Sequence, residues 1–244
     1  MKKIAVAAIL LVMMTALILA LRKPSPATPS SAQNPSLSAL VSPTPHVQLP
    51  VTVTPALSAD SVILIGNYTE RKTSEEIAKE HNCAYLVNGG FYTTTSTPVG
   101  LFKSGTVSLR GGRESALFDG YISRNQMDTP LITRMIPDEN STWALQTGPI
   151  LIENGKAVPL SIKNDQPERR SFALITGANE LIFGLVEQST LTALPQVISN
   201  WARENSVIVG DAINLDGGSA AAFRGENGVY PEIAPIGSAF CAQL

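Results

Sequence analysis

Short hydrophobic runs separated by turn residues recur along the chain from about residue 60 to the C-terminus. Apolar runs predict buried strands at 62–65 and at 83–87, and a further strand is predicted at 211–215. Two further pairs of strands are predicted, 101–102 with 107–109 and 171–176 with 181–186. The pair Asn154-Gly155 stands between two short apolar runs, and this predicts a hairpin with a type I′ turn.

Two segments carry helical signals instead. Thr73 and Glu76 form a capping-box pattern, which predicts a short helix ending near His81. Residues 193–204 have an apolar position every three or four residues, and Thr192 is the predicted N-cap of this longer helix. Many hairpins with few helices predict a single α+β domain with a mixed, largely antiparallel sheet.

The N-terminus has a different pattern. Residues 4–21 contain no charge and are flanked by Lys2-Lys3 and Arg22-Lys23, so residues 1–23 are predicted to be a transmembrane anchor or a signal. We favour the uncleaved anchor, because the residues before Arg22 make a poor cleavage site. The domain is then expected outside the cytoplasm, membrane-anchored, with a secreted or periplasmic product of signal cleavage as the alternative.

A proline-rich segment follows this apolar run. Residues 24–59 contain eight of the 17 prolines and no Lys, Arg, Asp or Glu, which predicts a disordered linker before a folded domain at 60–244. A strand at 47–53 is conceivable, but Pro50 and Pro55 argue against it.

The charged residues lie on either side of this linker. Residues 60–244 hold fourteen of the 18 basic residues and all 20 acidic ones, a net charge near −6. Nucleic acid is therefore not expected as a partner, because binding to its phosphates requires a basic surface. An anionic substrate would have to be held by a few local groups, since the overall field repels it.

Several classes of catalytic site can be excluded from the sequence. The chain has two histidines, His46 and His81, so neither a histidine-rich zinc site nor a Ser-His-Asp triad is expected, and no P-loop or dinucleotide-binding motif occurs. The two cysteines, Cys83 and Cys241, can form a disulfide bond outside the cytoplasm or remain separate buried thiols; the sequence leaves both open.

Two segments share a pattern typical of a binding cleft. In 86–91 and 214–219, a buried strand ends in a polar residue that is followed by Gly-Gly. A polar side chain at such a strand end points into a cleft beside exposed amides. Each segment taken alone is also typical of a tight turn capped by an Asn or Asp side chain.

Taken in order, the motifs resemble a known family. They are LVNGGF at 86–91, PVGL at 98–101, QTGPILIENGK at 146–156, PERRSFALI at 167–175 and DAINLDGGSA at 211–220. This series resembles the phosphodiester glycosidase domain, whose bacterial members are linked to exopolysaccharide. The sequence has Arg170-Ser171 where the family typically reads Arg-Thr, and one glycine fewer after Asp216.

The resemblance implies hydrolysis of a sugar-1-phosphate diester or a related envelope glycan linkage. Asp216 would be the principal carboxylate, and Arg170 would hold the anionic diester, with Arg169 as its substitute. Because neighbouring residues of a strand face opposite sides, only one of the two arginines is expected in the cleft. The expected substrate-binding residues are Asn88, Gly89, Gly90, Gly148, Asn214, Gly217, Gly218 and Ser219.

A second carboxylate is required by the usual glycosidase mechanisms. Glu168, Asp165, Asp119 and Asp211 remain candidates; the strand parity of Asp211 favours a structural role. No cofactor is required, although the oxygen-rich segment 211–219 permits a divalent cation. The alternative function is a non-catalytic module that binds glycan at the cell surface.

Overall fold

A computed structural model of the protein describes residues 49–243, all of which belong to one compact unit. In chain order the strands are β1 (Val51–Val53), β2 (Val62–Gly66), β3 (Tyr85–Asn88), β4 (Phe102–Ser104), β5 (Val107–Arg110), β6 (Gly120–Arg124), β7 (Pro130–Thr133), β8 (Trp143–Thr147), β9 (Ile150–Glu153), β10 (Lys156–Ala157), β11 (Glu168–Thr176), β12 (Leu181–Ser189), β13 (Val209–Asn214), β14 (Phe223–Gly225), β15 (Gly228–Tyr230) and β16 (Ser238–Ala242). The α-helices within these residues are α1 (Ser74–Glu80) and α2 (Leu194–Glu204). Short 3₁₀ helices lie at Ala59–Ser61 and Gly218–Ala220.

The strands form three sheets. Sheet A has the order β1-β12-β11-β13-β9-β10, sheet B the order β15-β14-β3-β16-β2, and sheet C the order β5-β4-β8-β6-β7. Every pairing between these strands is antiparallel.

The predicted α+β class with a mixed sheet is therefore wrong, and the described domain is mostly β. The hairpin signals were read correctly, and the strands that are neighbours in a sheet but far apart in the sequence are antiparallel as well, so no parallel pair makes the sheets mixed. The two helices are short; α2 packs on the outer face of sheet A and α1 on the outer face of sheet B. The strands therefore determine the fold class.

One central core lies among the three sheets. It contains side chains from each of them, such as Leu64 and Phe240 from sheet B, Phe183 from sheet A, and Trp143 from sheet C. Because side chains alternate along a strand, sheet A also buries its opposite face, against α2, and sheet B buries its opposite face against α1. Burial on both faces explains the continuous apolar runs in the sequence.

The local signals for the helices were largely correct. Thr73 caps α1, and both hydrogen bonds of the predicted capping box with Glu76 are present. Helix α2 also lies where it was predicted, but its N-cap is Ala193 and not Thr192. The amide of Thr192 instead donates to the carboxylate of Asp165. A side chain that is distant in the sequence therefore accepts a hydrogen bond from the backbone just before α2.

The predicted Asn154-Gly155 hairpin is confirmed, with positive φ at both turn residues and β9 pairing with β10. The rejected strand near residue 50 does form. Val51–Val53 pairs with β12 at the edge of sheet A, where the flanking prolines need not donate to a neighbouring strand. The ordered chain thus extends upstream of residue 60.

Cys83 and Cys241 form a disulfide bond, with their Cα atoms 5.3 Å apart. The bond ties the segment before β3 to the last strand of sheet B, which settles the choice that the sequence left open. The predicted membrane or signal segment 1–23 and most of the predicted linker lie outside the described residues. Between residues 49 and 243, no helix is long and apolar enough to cross a membrane.

Candidate active site

The register of sheet B brings three polar strand ends to one edge. Strands β2 and β3 both run antiparallel to β16, so both end beside its first residues. Gly66 pairs with Ser238, and Asn88 pairs with Ala239. The end of β13 in sheet A arrives at the same place, because the Asp216 amide donates to the Gly89 carbonyl oxygen at 3.0 Å.

Asn88 joins these segments with its side chain. It is buried, and its Nδ2 donates to the main-chain oxygen of Asp216 at 2.7 Å. Its Oδ1 accepts from Ser171 Oγ at 2.6 Å and from the Ala222 amide at 2.9 Å. The amide group is thus fully used inside the protein, and its direct effect is to hold the loop that carries Asp216.

Asp216 lies immediately after β13 with its carboxyl group largely enclosed by protein. Burial raises its pKa from 3.8 to about 7, although the Gly217 amide, which donates to Oδ1 at 2.9 Å, partly opposes this shift. A carboxyl group with such a pKa is present in both protonation states near neutral pH. It can therefore give or accept a proton in catalysis, which is a common property of active-site acids.

Two tyrosines that the sequence did not single out lie near this carboxyl group. Burial and then the charge of Asp216 raise the pKa of Tyr92, and the pKa of Tyr68 is raised by burial and by Asp216 against the opposing effect of Ser238. The Tyr68 hydroxyl is buried close to the side chain of Ser238. The sequence contained a signal for this region, because Asn67 and Tyr68 follow the end of β2 in the way that Asn88 stands at the end of β3.

The glycines of both loops permit close packing. A Cβ atom on Gly89 would come within 2.3 Å of Ser238 Oγ, so only glycine fits between β3 and β16. Gly218 has φ of +61°, and a Cβ atom there would lie 2.9 Å from Glu168 Oε2. Gly90 and Gly217 are similarly close to Leu145 and to the Arg169 carbonyl oxygen. Ser219, next in the loop, is exposed.

Asn214 and Gly148 contact each other beneath the site. Asn214 Nδ2 donates to the Gly148 carbonyl oxygen at 2.9 Å, and the Gly148 amide donates to the Asn214 carbonyl oxygen at 3.1 Å. Asn214 is buried, and its Oδ1 has no hydrogen-bond partner among the described residues. These two residues join β13 to the loop before β9 and are placed to support the Asp216 loop from below.

Arg170 is held inside the protein. Its Nε donates to the Ser189 carbonyl oxygen at 3.1 Å, and its Nη2 contacts the Gln166 carbonyl oxygen at 3.0 Å and Asp165 Oδ1 at 3.3 Å. Its Nη1 faces the glycine loop, 3.6 Å from where a Cβ of Gly217 would lie. The side chain is 14% exposed, so Arg170 mainly connects the glycine loop to sheet A.

Arg169 and Glu168 instead line an open cleft beside the Asp216 loop. The cleft has a volume of about 630 Å³, and its walls include Pro167, Glu168, Arg169, Gly217, Gly218 and Ser219. The pairing of β11 with β12 shifts register between Glu168 and Arg170, which marks a β-bulge. Strict alternation is lost at a bulge, and consecutive side chains can reach the same side.

Arg169 keeps most of its guanidinium available within this cleft. Nη1 donates to the Pro231 carbonyl oxygen at 2.9 Å, and the described residues provide it with no ion pair. Arg169 thus lies on the cleft side, whereas the sequence analysis assigned the diester to Arg170 with Arg169 as its substitute.

The four candidates for the second carboxylate lie in different environments. Asp165 pairs with Arg170; burial opposes its ionisation, but amide donors from Thr192 and Leu191 outweigh burial and hold its pKa below the usual value. Asp119 accepts from the Ile150 amide and pairs with Arg134, and Asp211 accepts from the Asn154 amide at 2.8 Å. Glu168 is exposed in the cleft.

A second pocket, of about 600 Å³ and more apolar, lies between β2 and the β4–β5 hairpin, with Tyr68, Phe102 and Trp143 among its lining residues. It contains none of the residues of the two glycine loops, whereas Gly217, Gly218 and Ser219, which directly follow Asp216, line the 630 Å³ cleft, so we place the candidate site there. Within residues 49–243, no three His, Cys, Asp or Glu side chains come together in a group that could hold a metal ion.

Comparison with known proteins agrees with this architecture. A family model described as phosphodiester glycosidase matches residues 81–241. One similar solved structure is the catalytic domain of zebrafish N-acetylglucosamine-1-phosphodiester α-N-acetylglucosaminidase, auto-inhibited by its pro-peptide. The TM-score is 0.61 and the sequence identity 17%, and the match covers 83% of this chain and 85% of that one. A hypothetical protein from Synechocystis is similar with a TM-score of 0.58 and 13% identity, over 79% of this chain and 59% of that one.

No curated protein matches the sequence. The two structural neighbours are too different in sequence to indicate more than a shared fold. The family model, in contrast, covers most of the chain and includes both glycine loops, Arg169, Arg170 and Asp216. The chain belongs to the phosphodiester glycosidase family.

Proposed function

We propose that the protein is a hydrolase that cleaves a sugar-1-phosphate diester, or a related glycan linkage of the cell envelope or of an exopolysaccharide, at the cleft beside Asp216. The observation that carries the proposal is the enclosed carboxyl group of Asp216, whose pKa is raised to about 7 by burial, beside a glycine loop that borders an open cleft. Family membership supports the reaction class.

Asp216 acts as the proton donor in this proposal. The bond to be broken joins the anomeric carbon of the sugar to a phosphate oxygen, and that oxygen becomes more basic as the bond breaks. A protonated carboxyl group beside it lowers the barrier, and such a general acid typically contributes about 10²–10⁴-fold in rate. Burial keeps Asp216 protonated at a pH at which an exposed Asp has lost its proton.

Arg169 and Arg170 have different roles. Arg169 lines the cleft and can donate two parallel hydrogen bonds to a phosphodiester oxygen pair. Arg170 is bonded to Asp165 and packs against Gly217, so it positions the glycine loop. The body of the protein has a negative net charge, and a single local cation therefore has a large share in holding an anionic ligand.

The domain is proposed to act outside the cytoplasm. The disulfide bond between Cys83 and Cys241 supports this, because such bonds persist in oxidising compartments and are rare in the cytosol. Glycans and glycosyl phosphates of the envelope are available there as substrates.

The test is an assay of the purified full-length chain with the methyl phosphodiester of N-acetyl-α-glucosamine 1-phosphate and with envelope polysaccharides. The choice of sugar follows the name of the zebrafish neighbour. We expect release of free sugar by the wild type and a loss of about 100-fold or more in Asp216→Asn. Binding without product in either protein would support the glycan-binding alternative, and equal turnover by both would remove Asp216 from the mechanism.

A further inference from the structure

We infer that Glu168 supplies the second carboxylate of the proposed hydrolysis, and that the β-bulge in β11 places it in the cleft beside Arg169. The inference rests on the proposed function and adds the residue that accepts the proton of the attacking water. It follows from the position of Glu168, from its lack of partners and from the bonding of the other carboxylates nearby.

The position of Glu168 is set by the glycine loop. Its Oε2 lies 2.9 Å from where a Cβ of Gly218 would be, so the carboxylate contacts the loop two residues beyond Asp216. A Cβ at position 218 would displace this end of the Glu168 side chain, and the φ of +61° at Gly218 also favours glycine there. The carboxylate therefore lies on the wall of the same cleft that the Asp216 loop borders.

The partners of the neighbouring carboxylates leave Glu168 as the candidate. Asp165 is bonded to Arg170 and to the amides before α2, Asp119 to Arg134 and an amide, and Asp211 to the Asn154 amide. In the part of the chain that the structure describes, the Glu168 carboxylate accepts no hydrogen bond and forms no ion pair. A base that must take a proton from water needs this accessibility.

Glu187 is the other carboxylate that lines the cleft. It lies on β12, which is separated from the Asp216 loop by β11. Glu168 lies on β11 itself, the strand that pairs with β13 and so adjoins that loop. The geometry therefore favours Glu168 over Glu187 for a role at the reacting carbon.

The step can be written for these two residues. The water oxygen forms a bond to the anomeric carbon while Glu168 takes one proton from the water. The bond between the anomeric carbon and the phosphate oxygen breaks, and its electron pair stays on that oxygen, which receives the proton of Asp216. The products are a free sugar and a phosphate monoester, and proton exchange with solvent restores both carboxyl groups.

The kinetic test uses the full-length chain, the methyl phosphodiester probe and three Glu→Gln variants. We expect Glu168→Gln to reduce kcat by about 100-fold or more and to remove the fall in rate at low pH that a base produces. Glu139→Gln, an exposed carboxylate in the turn before β8, is the matched control and should match the wild type. Azide added to Glu168→Ala should restore turnover and give a glycosyl azide, which a merely structural role would not do.

The inference is overturned if Glu168→Gln turns over within a few-fold of the wild type, or if Glu187→Gln alone shows the loss. Failure of the proposed function looks different, because the wild type itself would then be inactive. A crystal of Asp216→Asn soaked with the probe decides without turnover. We expect the sugar between residues 216 and 168, with their side-chain oxygens about 6.5–9.5 Å apart, which leaves room for the attacking water; a ligand bound away from Glu168 would contradict the inference.

Discussion

Replacing Asp216 by Asn should make the protein more stable, and increasingly so at higher pH. The substitution keeps the shape of the side chain and an oxygen that can accept from the Gly217 amide. It removes an ionisable group whose charged form is disfavoured by burial. The Asp216 carboxyl group thus destabilises the folded protein at a pH at which it is ionised, and the neutral Asn side chain should not.

The size of the effect follows from the shift in pKa. The folded-state pKa is about 7, whereas the unfolded-state value is 3.8, so the unfolded chain releases this proton first. The stability associated with the protonated group is complete below pH 3.8 and is lost as pH rises to about 7. The loss is about 1.5 kcal/mol at pH 5 and about 4 kcal/mol at pH 8. The gain from Asp216→Asn should therefore increase by about 2.5 kcal/mol between these pH values.

The measurement is urea unfolding of the wild type and the variant at pH 5 and pH 8, with the disulfide bond intact. Asp211→Asn is the control for the loss of a negative charge near the same strand, since its carboxylate accepts a hydrogen bond from the Asn154 amide at the sheet edge. A gain that does not change with pH, or a variant less stable than the wild type at pH 8, would refute the argument that Asp216 is desolvated.

Three further predictions follow from the site. Arg169→Ala should raise KM for the phosphodiester probe by about 10-fold or more. Arg170→Ala should instead lower the free energy of unfolding by about 1–3 kcal/mol, since it leaves the buried carboxylate of Asp165 without its cation. Steady-state kinetics and urea unfolding distinguish these effects, and the reverse pattern would exchange the roles of the two arginines. Replacing Cys83 and Cys241 by Ser should lower the free energy of unfolding by about 2–5 kcal/mol, and an unchanged urea midpoint would contradict this. The kcat/KM of the wild type should fall as pH rises through about 7, because Asp216 must be protonated to act; a flat profile from pH 6 to pH 9 would argue against it.

The sequence predicted the local elements well because their causes are local. The capping box at Thr73, the hairpin at Asn154-Gly155 and the apolar stripe of α2 each depend on a few neighbouring residues. The fold class depends on which strands pair over long distances, and this is not visible in any single segment. The strand at Val51–Val53 was missed for the same reason, since its partner lies more than 130 residues away in β12.

The candidate site shows the same division. The glycine motifs indicated Asp216, and their resemblance to a family indicated the chemistry. They did not reveal that the Asn88 side chain bonds to the main chain of Asp216, since three segments must meet before that contact exists. Strand parity suggested that only one of two adjacent arginines enters the cleft, and the bulge before Arg170 determines which one. Asn67-Tyr68 follows the end of β2 in the sequence, but its place beside Asp216 depends on the register of β2 with β16, which no single segment shows.

The link between Asn88 and the Asp216 loop has a consequence for how such a site can diversify. The loop of the proposed acid, Asp216, is held by sheet B through the Asn88 side chain, which is buried and hydrogen-bonded at both its oxygen and its nitrogen. One wall of the adjoining cleft comes from the start of β11 in sheet A. Changes at Pro167, Gln188 and Ile233, which line the cleft beside Glu168 and Arg169, should therefore alter which glycan is accepted while the proposed acid and base keep their geometry. A library randomised at these three positions, with Glu168 and Arg169 retained, is the starting point for redirecting the proposed activity to other sugars.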